Sequence, residues 1–234
     1  MSASRRAAIV AAGIVALGAL PRAWAQAASA PQPGAADSPI SAVEQRLFLD
    51  SHLKALKLPA TLRYAVDVQG ELKKAEHFDV ELALARAKDG IDVRLSTPRA
   101  EAPVAIPVEG DVLNNPIVMY FLDRDIETME KLTGGKKGYF NRRLRMAFAA
   151  ASRIENAQIT IAGRSEAVQQ VSLQPFLDDP LRPRFEKFAG KRYTFAFSKA
   201  TPGEVLQLQT VIPGANGNFD KPLLTETLVF EGRR

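Results

Sequence analysis

The sequence predicts an α+β protein: a curved, half-barrel-like antiparallel β-sheet with an inserted helical hairpin and an N-terminal helix. Three observations lead to this prediction. Apolar and polar residues alternate in two blocks of the chain, as in strands that bury one face. Between the blocks, residues 115–148 carry apolar side chains at helical spacing. Turn residues separate neighbouring strand patterns closely enough for hairpin connections.

The N-terminal helix is predicted to begin at Ser41. Ser41 and Glu44 form the S-x-x-E pattern of a capping box, in which each side chain accepts a hydrogen bond from a backbone N–H of the first turn. Pro59 marks the end of the pattern, because proline interrupts a helix. The apolar residues at helical spacing between these points are Leu49, Leu53 and Leu56.

The first strand block contains three alternating segments, at residues 62–68, 80–84 and 91–95. Lys88-Asp89-Gly90 separates the last two and predicts a hairpin turn. The prolines at positions 98, 103 and 107 then predict a loop or an edge strand, since proline cannot donate a ladder hydrogen bond.

The middle of the chain predicts an αα-hairpin. Asn115 and Pro116 suit the N-cap and the first position of a helix, and Gly134 suits its left-handed C-terminal cap. A second helix is predicted from about Tyr139. Its apolar face consists of Phe140, Leu144 and Phe148.

The second strand block completes a prediction of about eight strands. Asp179 and Pro180 predict a short helix that ends at Gly190. The alternating segments lie at residues 159–161, 171–173, 193–197, 206–208 and 228–230.

The first 25 residues predict a signal peptide. Arg5 and Arg6 precede an apolar segment at residues 7–20, and Ala23-Trp24-Ala25 provides a cleavage site after Ala25. The apolar segment is shorter than the ~20 residues that a membrane-spanning helix needs. We therefore expect export to the periplasm. The Sec route is favoured over Tat, because alanines follow the arginines where a twin-arginine signal has bulky apolar residues.

Beyond the leader, residues 26–40 form an Ala- and Pro-rich segment with little to bury, which predicts a disordered tether. Residues 41–234 are predicted to form a single α+β domain, which is long enough to bury a core of its own.

Charge and cysteine content exclude several classes of function. The chain has 31 basic and 26 acidic residues, and three of the basic residues lie in the predicted leader. The mature chain therefore carries 28 basic residues against 26 acidic ones, too small an excess for a nucleic-acid binder. The absence of cysteine excludes disulfides, thiolate nucleophiles, Cys-ligated metals and an N-terminal lipidated cysteine.

No motif in the sequence predicts a catalytic residue, a metal ligand or a cofactor. Residues 134–138 contain glycines and lysines but lack the full phosphate-binding pattern. Residues 163–167 lie between two strand patterns, whereas a nucleophile elbow joins a strand to a helix. His52 and His77 have no metal-ligand spacing. Asp178-Asp179 suits a cap or turn. An enzyme built from Asp, Glu and Arg stays open as a second alternative, although the residues favour a non-enzymatic protein.

The segment NNPIVMYFLDRDIETMEKLTGGKKGYFNRRLRM at residues 114–146 resembles a family of exported proteobacterial proteins. The segment DDPLRPRFEKFAGKRYTF fits the same resemblance. This resemblance implies no activity, cofactor or catalytic residue. In the order of its helices and strands, the chain is also similar to the unclosed β-barrels of periplasmic lipoprotein carriers such as LolA, which is an analogy of layout.

The leading functional hypothesis is a soluble periplasmic binding or carrier module for an apolar or lipid-like ligand. A curved sheet capped by helices could hold such a ligand against its apolar face. The same residues could equally form a filled core. The candidate ligand-binding residues are Tyr64, Val66, Leu82, Leu84, Phe195 and Leu208.

The alternative hypothesis is an accessory or assembly protein that binds through a basic helix. Between Glu130 and Glu155 there is no acidic residue, and aromatic residues alternate with basic ones. Such a helix could contact an acidic protein or an anionic membrane surface. It could also be a solvated face whose cations pair with acids on the preceding helix. The candidate contact residues are Lys136, Lys137, Arg142, Arg143 and Arg145.

Overall fold

In the computed structural model, the alternating segments form one open, curved antiparallel sheet of nine strands, in the order β4-β3-β2-β1-β9-β8-β7-β6-β5. The α+β prediction is confirmed. Strands β1 to β9 comprise Ala60–Gly70, Glu76–Ala87, Gly90–Ser96, Val104–Ile106, Glu155–Ile161, Arg164–Leu173, Arg192–Phe197, Val205–Ile212 and Leu224–Arg233. Helices α1 to α4 comprise Ala42–Glu44, Ile117–Thr133, Lys137–Ala150 and Glu186–Ala189.

The structure describes residues 40–88, 90–98, 104–106, 114–151 and 153–234. The predicted signal peptide and the predicted tether, except its last residue, lie outside the described residues. Residues Ile40–Arg234 form one compact unit. Among the described residues, no helix has both the length and the apolar character needed to cross a bilayer.

The N-terminal helix begins as predicted but is shorter. Ser41 Oγ accepts a hydrogen bond from Glu44 N at 2.9 Å, and a Glu44 carboxylate oxygen accepts one from Ser41 N at 3.0 Å. After α1, Gln45–Leu49 form a π-helical turn. The prediction that the helix continues to Pro59 was wrong. The chain turns after Leu49, which places His52 in the core, where its ring contacts the backbone oxygen of Arg46.

The first strand block folds as predicted into a meander. In β1 and β2, Leu62 faces Leu82 and Tyr64 faces Val80. The proline-rich segment supplies the short edge strand β4 beside β3. In the described part of the chain, the sheet therefore ends on this side with three residues of strand.

The predicted αα-hairpin is confirmed as α2 and α3. Asn115 Oδ1 accepts a hydrogen bond from Ile117 N at 3.1 Å, which satisfies one of the free donors at the start of α2. Gly134 ends that helix in the left-handed conformation with φ 70°. In α3 the predicted apolar face is buried: Phe140, Leu144 and Phe148.

The second strand block supplies β5 to β9. The last strand, β9, lies between β1 and β8 and so joins the two blocks into one sheet. The short helix predicted after Asp179 appears as a 3-10 turn at Arg182–Arg184 followed by α4. Both phenylalanines of this segment, Phe185 and Phe188, are buried.

The helices and the segment after α1 cover one face of the sheet, called here the inner face. Phe148 of α3 lies 5.8 Å from Phe195 of β7, measured between ring centroids, and His52 stacks on Phe197 at 5.3 Å. The opposite, outer face is partly exposed. A second, smaller apolar cluster is centred on Val168, Ala196 and Leu206.

Candidate functional site

The six residues predicted to bind an apolar ligand all lie in the core of the inner face. Val66 of β1 faces Leu228 of β9, which faces Leu208 of β8, which faces Phe195 of β7. The structure therefore brings Val66, Leu208 and Phe195 into one row. Tyr64, Leu82 and Leu84 lie in adjacent rows of β1 and β2.

These six side chains are packed against other protein groups. Their exposed fractions are 0% or 1%. A side chain that lined a cavity wide enough for water would keep accessible surface, so these residues enclose no such cavity on the inner face. A ligand on this face would have to displace the covering helices.

One buried polar cluster connects the covering segments to the sheet. His52 Nε2 lies 2.8 Å from Arg46 O, and His52 Nδ1 accepts a hydrogen bond from Asn115 N at 3.1 Å. This arrangement fixes the neutral Nε2–H tautomer, because a backbone oxygen can only accept. Burial lowers the pKa of His52. The neutral form of the His52 ring is therefore the one that binds the backbone at the start of α2.

Asn115 is the centre of the same cluster. Its Nδ2 donates to Tyr64 Oη at 2.8 Å and to Gly203 O at 2.9 Å. Gly203 has φ 76°, and a Cβ there would lie 2.7 Å from Leu62 Cδ1. Glycine is therefore required at this close approach.

A second buried cluster connects α2 to the far side of the sheet. Asp125 forms an ion pair with Lys191 and accepts a hydrogen bond from Tyr193 Oη at 2.6 Å. All three side chains are at most 2% exposed. Burial, together with the charge of Asp125, raises the pKa of Tyr193 well above its ordinary value. These groups satisfy one another and leave no reactive group facing a cleft.

The five basic residues predicted to contact an anionic surface have different surroundings. Lys137 pairs with Glu127 of α2 at 2.9 Å, and that hydrogen bond raises the pKa of Lys137. Arg143 is half-buried and pairs with Asp179 at 2.7 Å. Lys136, Arg142 and Arg145 are exposed. The predicted pairing with acids of the preceding helix therefore applies to Lys137, while Arg142 and Arg145 face solvent.

Asp179 has a second role that its sequence pattern does not reveal. It was interpreted as a cap, and it does accept a hydrogen bond from Leu181 N at 2.7 Å. It is also 4% exposed and binds Arg143 and the hydroxyl of Tyr139. Burial and this hydrogen bond raise the pKa of Tyr139 to about 12. Asp179 thereby fastens residues 174–185 to helix α3.

Aromatic packing strengthens that attachment. Phe140 of α3 lies 5.7 Å from Phe176 and 5.9 Å from Phe185, measured between ring centroids. Both pairs are edge-to-face, the geometry that aromatic rings prefer. The helix and the 174–185 segment therefore form one rigid surface.

That surface carries exposed apolar and basic side chains together. Met146, Leu177 and Leu181 are 49%, 40% and 37% exposed; among the described residues, the other large apolar side chains exposed to this extent are Ile40 and Leu49. Asp178 is the exposed acid within residues 174–185. We call this the basic–apolar surface; it consists of Arg142, Arg145, Met146, Leu177, Leu181, Arg182 and Arg184.

Two clefts lie on the outer face of the sheet. The larger has a volume of about 440 Å³, and Thr61, Ala83 and Arg94 form a row across its floor. Its other lining residues are Pro59, Ala60, Leu84, Ala85, Asp92 and Arg234. The smaller, of about 280 Å³, lies over β6 to β8.

The remaining residues weighed as catalytic or metal candidates are not brought together. His77 is exposed and pairs with Asp67 at 2.8 Å, far along the chain from the buried His52. In the part of the chain that the structure describes, no three histidine or carboxylate residues converge as a metal site would require. Residues 164–167 begin strand β6, and residues 134–136 connect two helices.

Comparison with known proteins identifies no family. No protein-family model and no curated protein matches the sequence. Among solved structures, the chain resembles the Mycobacterium tuberculosis lipoprotein LppX with 7% identity and a TM-score of 0.30, covering 73% of this chain and 84% of that one. It also resembles a LolA superfamily protein from Nitrosomonas europaea with 8% identity and a TM-score of 0.19, covering 80% and 93% respectively. Both neighbours have very low identity and low TM-scores, so they carry no argument about this chain. The fold class is established by the sheet topology alone.

Proposed function

We propose that the protein is a non-enzymatic binding module of the periplasm that docks on anionic phospholipid through its basic–apolar surface. The observation that carries the proposal is the exposure of Met146, Leu177 and Leu181 among four arginines. Each arginine near an anionic bilayer contributes about 1 kcal/mol. The apolar side chains gain further free energy by entering the boundary between headgroups and acyl chains.

An acidic protein surface would complement the positive charge of the basic–apolar surface but not its exposed apolar side chains. Three large apolar groups that protrude between cations match a lipid interface, where charge and apolar contact are available together. The rigid attachment of residues 174–185 to α3 favours this use, because the surface is already ordered before it binds.

The direct test is binding to phosphatidylcholine vesicles with and without phosphatidylglycerol. We expect the protein to bind only vesicles that contain phosphatidylglycerol, and to dissociate at about 1 M salt, where the screening length is about 3 Å. The variant Arg142→Glu/Arg145→Glu should bind at least about 30-fold more weakly, since removing two charges alone costs about 2 kcal/mol.

The matched control is Arg86→Glu/Lys88→Glu, which makes the same change in charge at the exposed end of β2. This control should bind nearly as well as the wild type. Equal losses in both variants would show a response to net charge alone and would contradict a defined docking surface.

The apolar residues separate lipid from protein partners. Leu177→Ser/Leu181→Ser keeps every charge but should still weaken vesicle binding, because it removes the side chains that enter the interface. Unchanged vesicle binding by this variant would leave a purely electrostatic contact and would favour an acidic protein as the partner.

The outer cleft of about 440 Å³ favours carriage of one amphipathic anion as a second candidate function. Its volume falls in the range of small-molecule sites. Ala83 and Ala85 offer apolar contact on the outer face, while Arg94 and Arg234 offer charge for a headgroup. Mass spectrometry of protein separated from the vesicles distinguishes the candidates: a carrier retains lipid, whereas a docking module is recovered without it.

A further inference from the structure

The two edges of the sheet differ in how they are protected. At one edge, β4 has three residues, and prolines 103 and 107 flank it in the sequence. At the other edge, β5 has seven residues, with neither proline nor lysine nor arginine among them. Soluble proteins usually protect an edge strand by shortening it or by adding proline or charge. Within β5 the one charged residue is Glu155 at its start, so residues 156–161 carry none of these protections.

The β5–β6 hairpin also projects beyond β7. Strand β6 pairs with β7 only from Gln169 to Leu173, whereas β5 pairs with β6 as far as Ile161 and Arg164. The outer part of this hairpin is therefore a two-stranded arm. Such arms are marginally stable alone and gain from a further strand.

The backbone groups that face the edge can be assigned from the register. Ala162 and Gly163 form a two-residue turn with φ 48° and 77°, so Ile161 and Arg164 bond to each other. Because antiparallel ladders alternate, the residues two and four positions before Ile161 also bond to β6. The residues that direct both N–H and C=O towards the open edge are therefore Asn156, Gln158 and Thr160.

We propose that two copies of the chain pair antiparallel through β5 about a two-fold axis at Gln158. In this register Gln158 faces Gln158 of the second copy, and Asn156 faces its Thr160. Every edge-facing residue then meets another edge-facing residue, as an antiparallel ladder requires. Of the registers with this property, this one pairs all three such residues.

Side chains support the same register. On one face, Ala157 would lie beside Ile159 of the second copy, which extends the half-buried apolar stripe of β5. At the ends, Glu155 would face Ile161 of the second copy, whose lateral neighbour is Arg164. Glu155 and Arg164 are both exposed and would lie on the same face, two strands apart across Ile161, so their long side chains could approach at two symmetric positions; within its own chain Glu155 pairs with Arg153 at 2.7 Å. On the other face, only the polar side chains of Asn156, Gln158 and Thr160 meet.

Sedimentation equilibrium of the purified protein tests the proposal. We expect the wild type to sediment as a dimer at micromolar concentration. Gln158→Pro should raise the dissociation constant about tenfold or more, because it removes a donor at the centre of the shared ladder. Gln158→Ala is its matched control and should remain dimeric. If the wild type sediments as a single chain at all concentrations, the proposal is overturned. This holds even if the β5 edge were then found to pair with a strand of another protein.

A charge exchange tests the register without proline. Glu155 and Arg164 lie at opposite ends of the arm within one chain, so they can meet only across the proposed axis. Glu155→Arg and Arg164→Glu should each weaken the dimer, and the double variant should restore it. A double variant that is weakened further, or single variants that match the wild type, would overturn the antiparallel register.

Discussion

His52 is the residue whose protonation most directly opposes the fold. Its Nδ1 accepts the Asn115 N–H, and its Nε2–H is bound by Arg46 O, so an added proton would break the first bond. The neighbouring charges are Arg46, whose repulsion lowers the pKa, and the carboxylates Glu204 and Asp50, which raise it. Burial is the larger effect, and the pKa lies below the ordinary value of 6.5.

The free energy of unfolding should therefore fall as the pH falls below 6.5. The unfolded chain binds the proton near pH 6.5, while the folded chain resists it, so protonation favours unfolding. The contribution of His52 is fully present above pH 6.5 and is lost as the pH falls towards the lowered folded pKa. Urea unfolding of wild type and His52→Gln between about pH 7.5 and 5.5 measures it, since the carboxylates titrate lower. In His52→Gln, the free energy of unfolding should depend less steeply on pH than in the wild type.

His77 provides the control of opposite sign. It is exposed, and its hydrogen bond to Asp67 raises its pKa. Any stability that His77 contributes is therefore present at low pH and lost as the pH rises. His77→Gln should make the acid loss of stability slightly steeper. A flatter profile in His77→Gln, with no change in His52→Gln, would contradict the assignment to His52.

Helix α2 is held on the sheet by the buried ion pair between Asp125 and Lys191. Asp125→Ala leaves the Lys191 ammonium buried without a counter-ion and should lower the free energy of unfolding by about 3–5 kcal/mol. The double variant Asp125→Leu/Lys191→Met removes both charges and should recover most of this loss. Urea denaturation of Asp125→Leu, Lys191→Met and the double variant gives the coupling energy of the pair directly.

Asp123 on the same helix is the matched control. It is half-buried and not paired with Lys191, and burial, followed by repulsion from Glu127, raises its pKa. Asp123→Ala should change stability by no more than about 0.5 kcal/mol. If Asp125→Ala proved equally mild, the buried ion pair would not be what holds α2 in place.

Local elements were predictable where their determinants lie close in sequence. The capping box of Ser41 and Glu44 spans three residues, and Asn115 caps a helix that begins two residues later. The polar clusters were not predictable, because their partners are distant. Asp125 is 66 residues from Lys191, and Tyr139 is 40 residues from Asp179. A periodic pattern shows that a residue is buried, but it cannot show which buried charged residues form a pair.

The arrangement of the whole sheet was predictable only in class. Alternation predicted about eight strands, and the described residues form nine, because the short edge strand β4 has too few residues to show a period. The position of β9 between β1 and β8 depends on pairing over more than half the chain. The six predicted ligand-binding residues were correctly assigned to one apolar face, but alternation cannot distinguish a packed face from an empty one.

The central position of β9 predicts that the two strand blocks unfold together. Thr227 lies in the middle of β9, facing Asp67 of β1 and Gln209 of β8. Proline there removes a ladder bond in a strand that is paired on both sides, so Thr227→Pro should abolish the cooperative unfolding transition seen by circular dichroism. Thr227→Ala keeps the backbone donor and should fold. By contrast, Gln158→Pro in the edge strand β5 should retain that transition. If Thr227→Pro kept a native-like transition, the blocks would be independent, and β9 would not be the strand that unites the molecule.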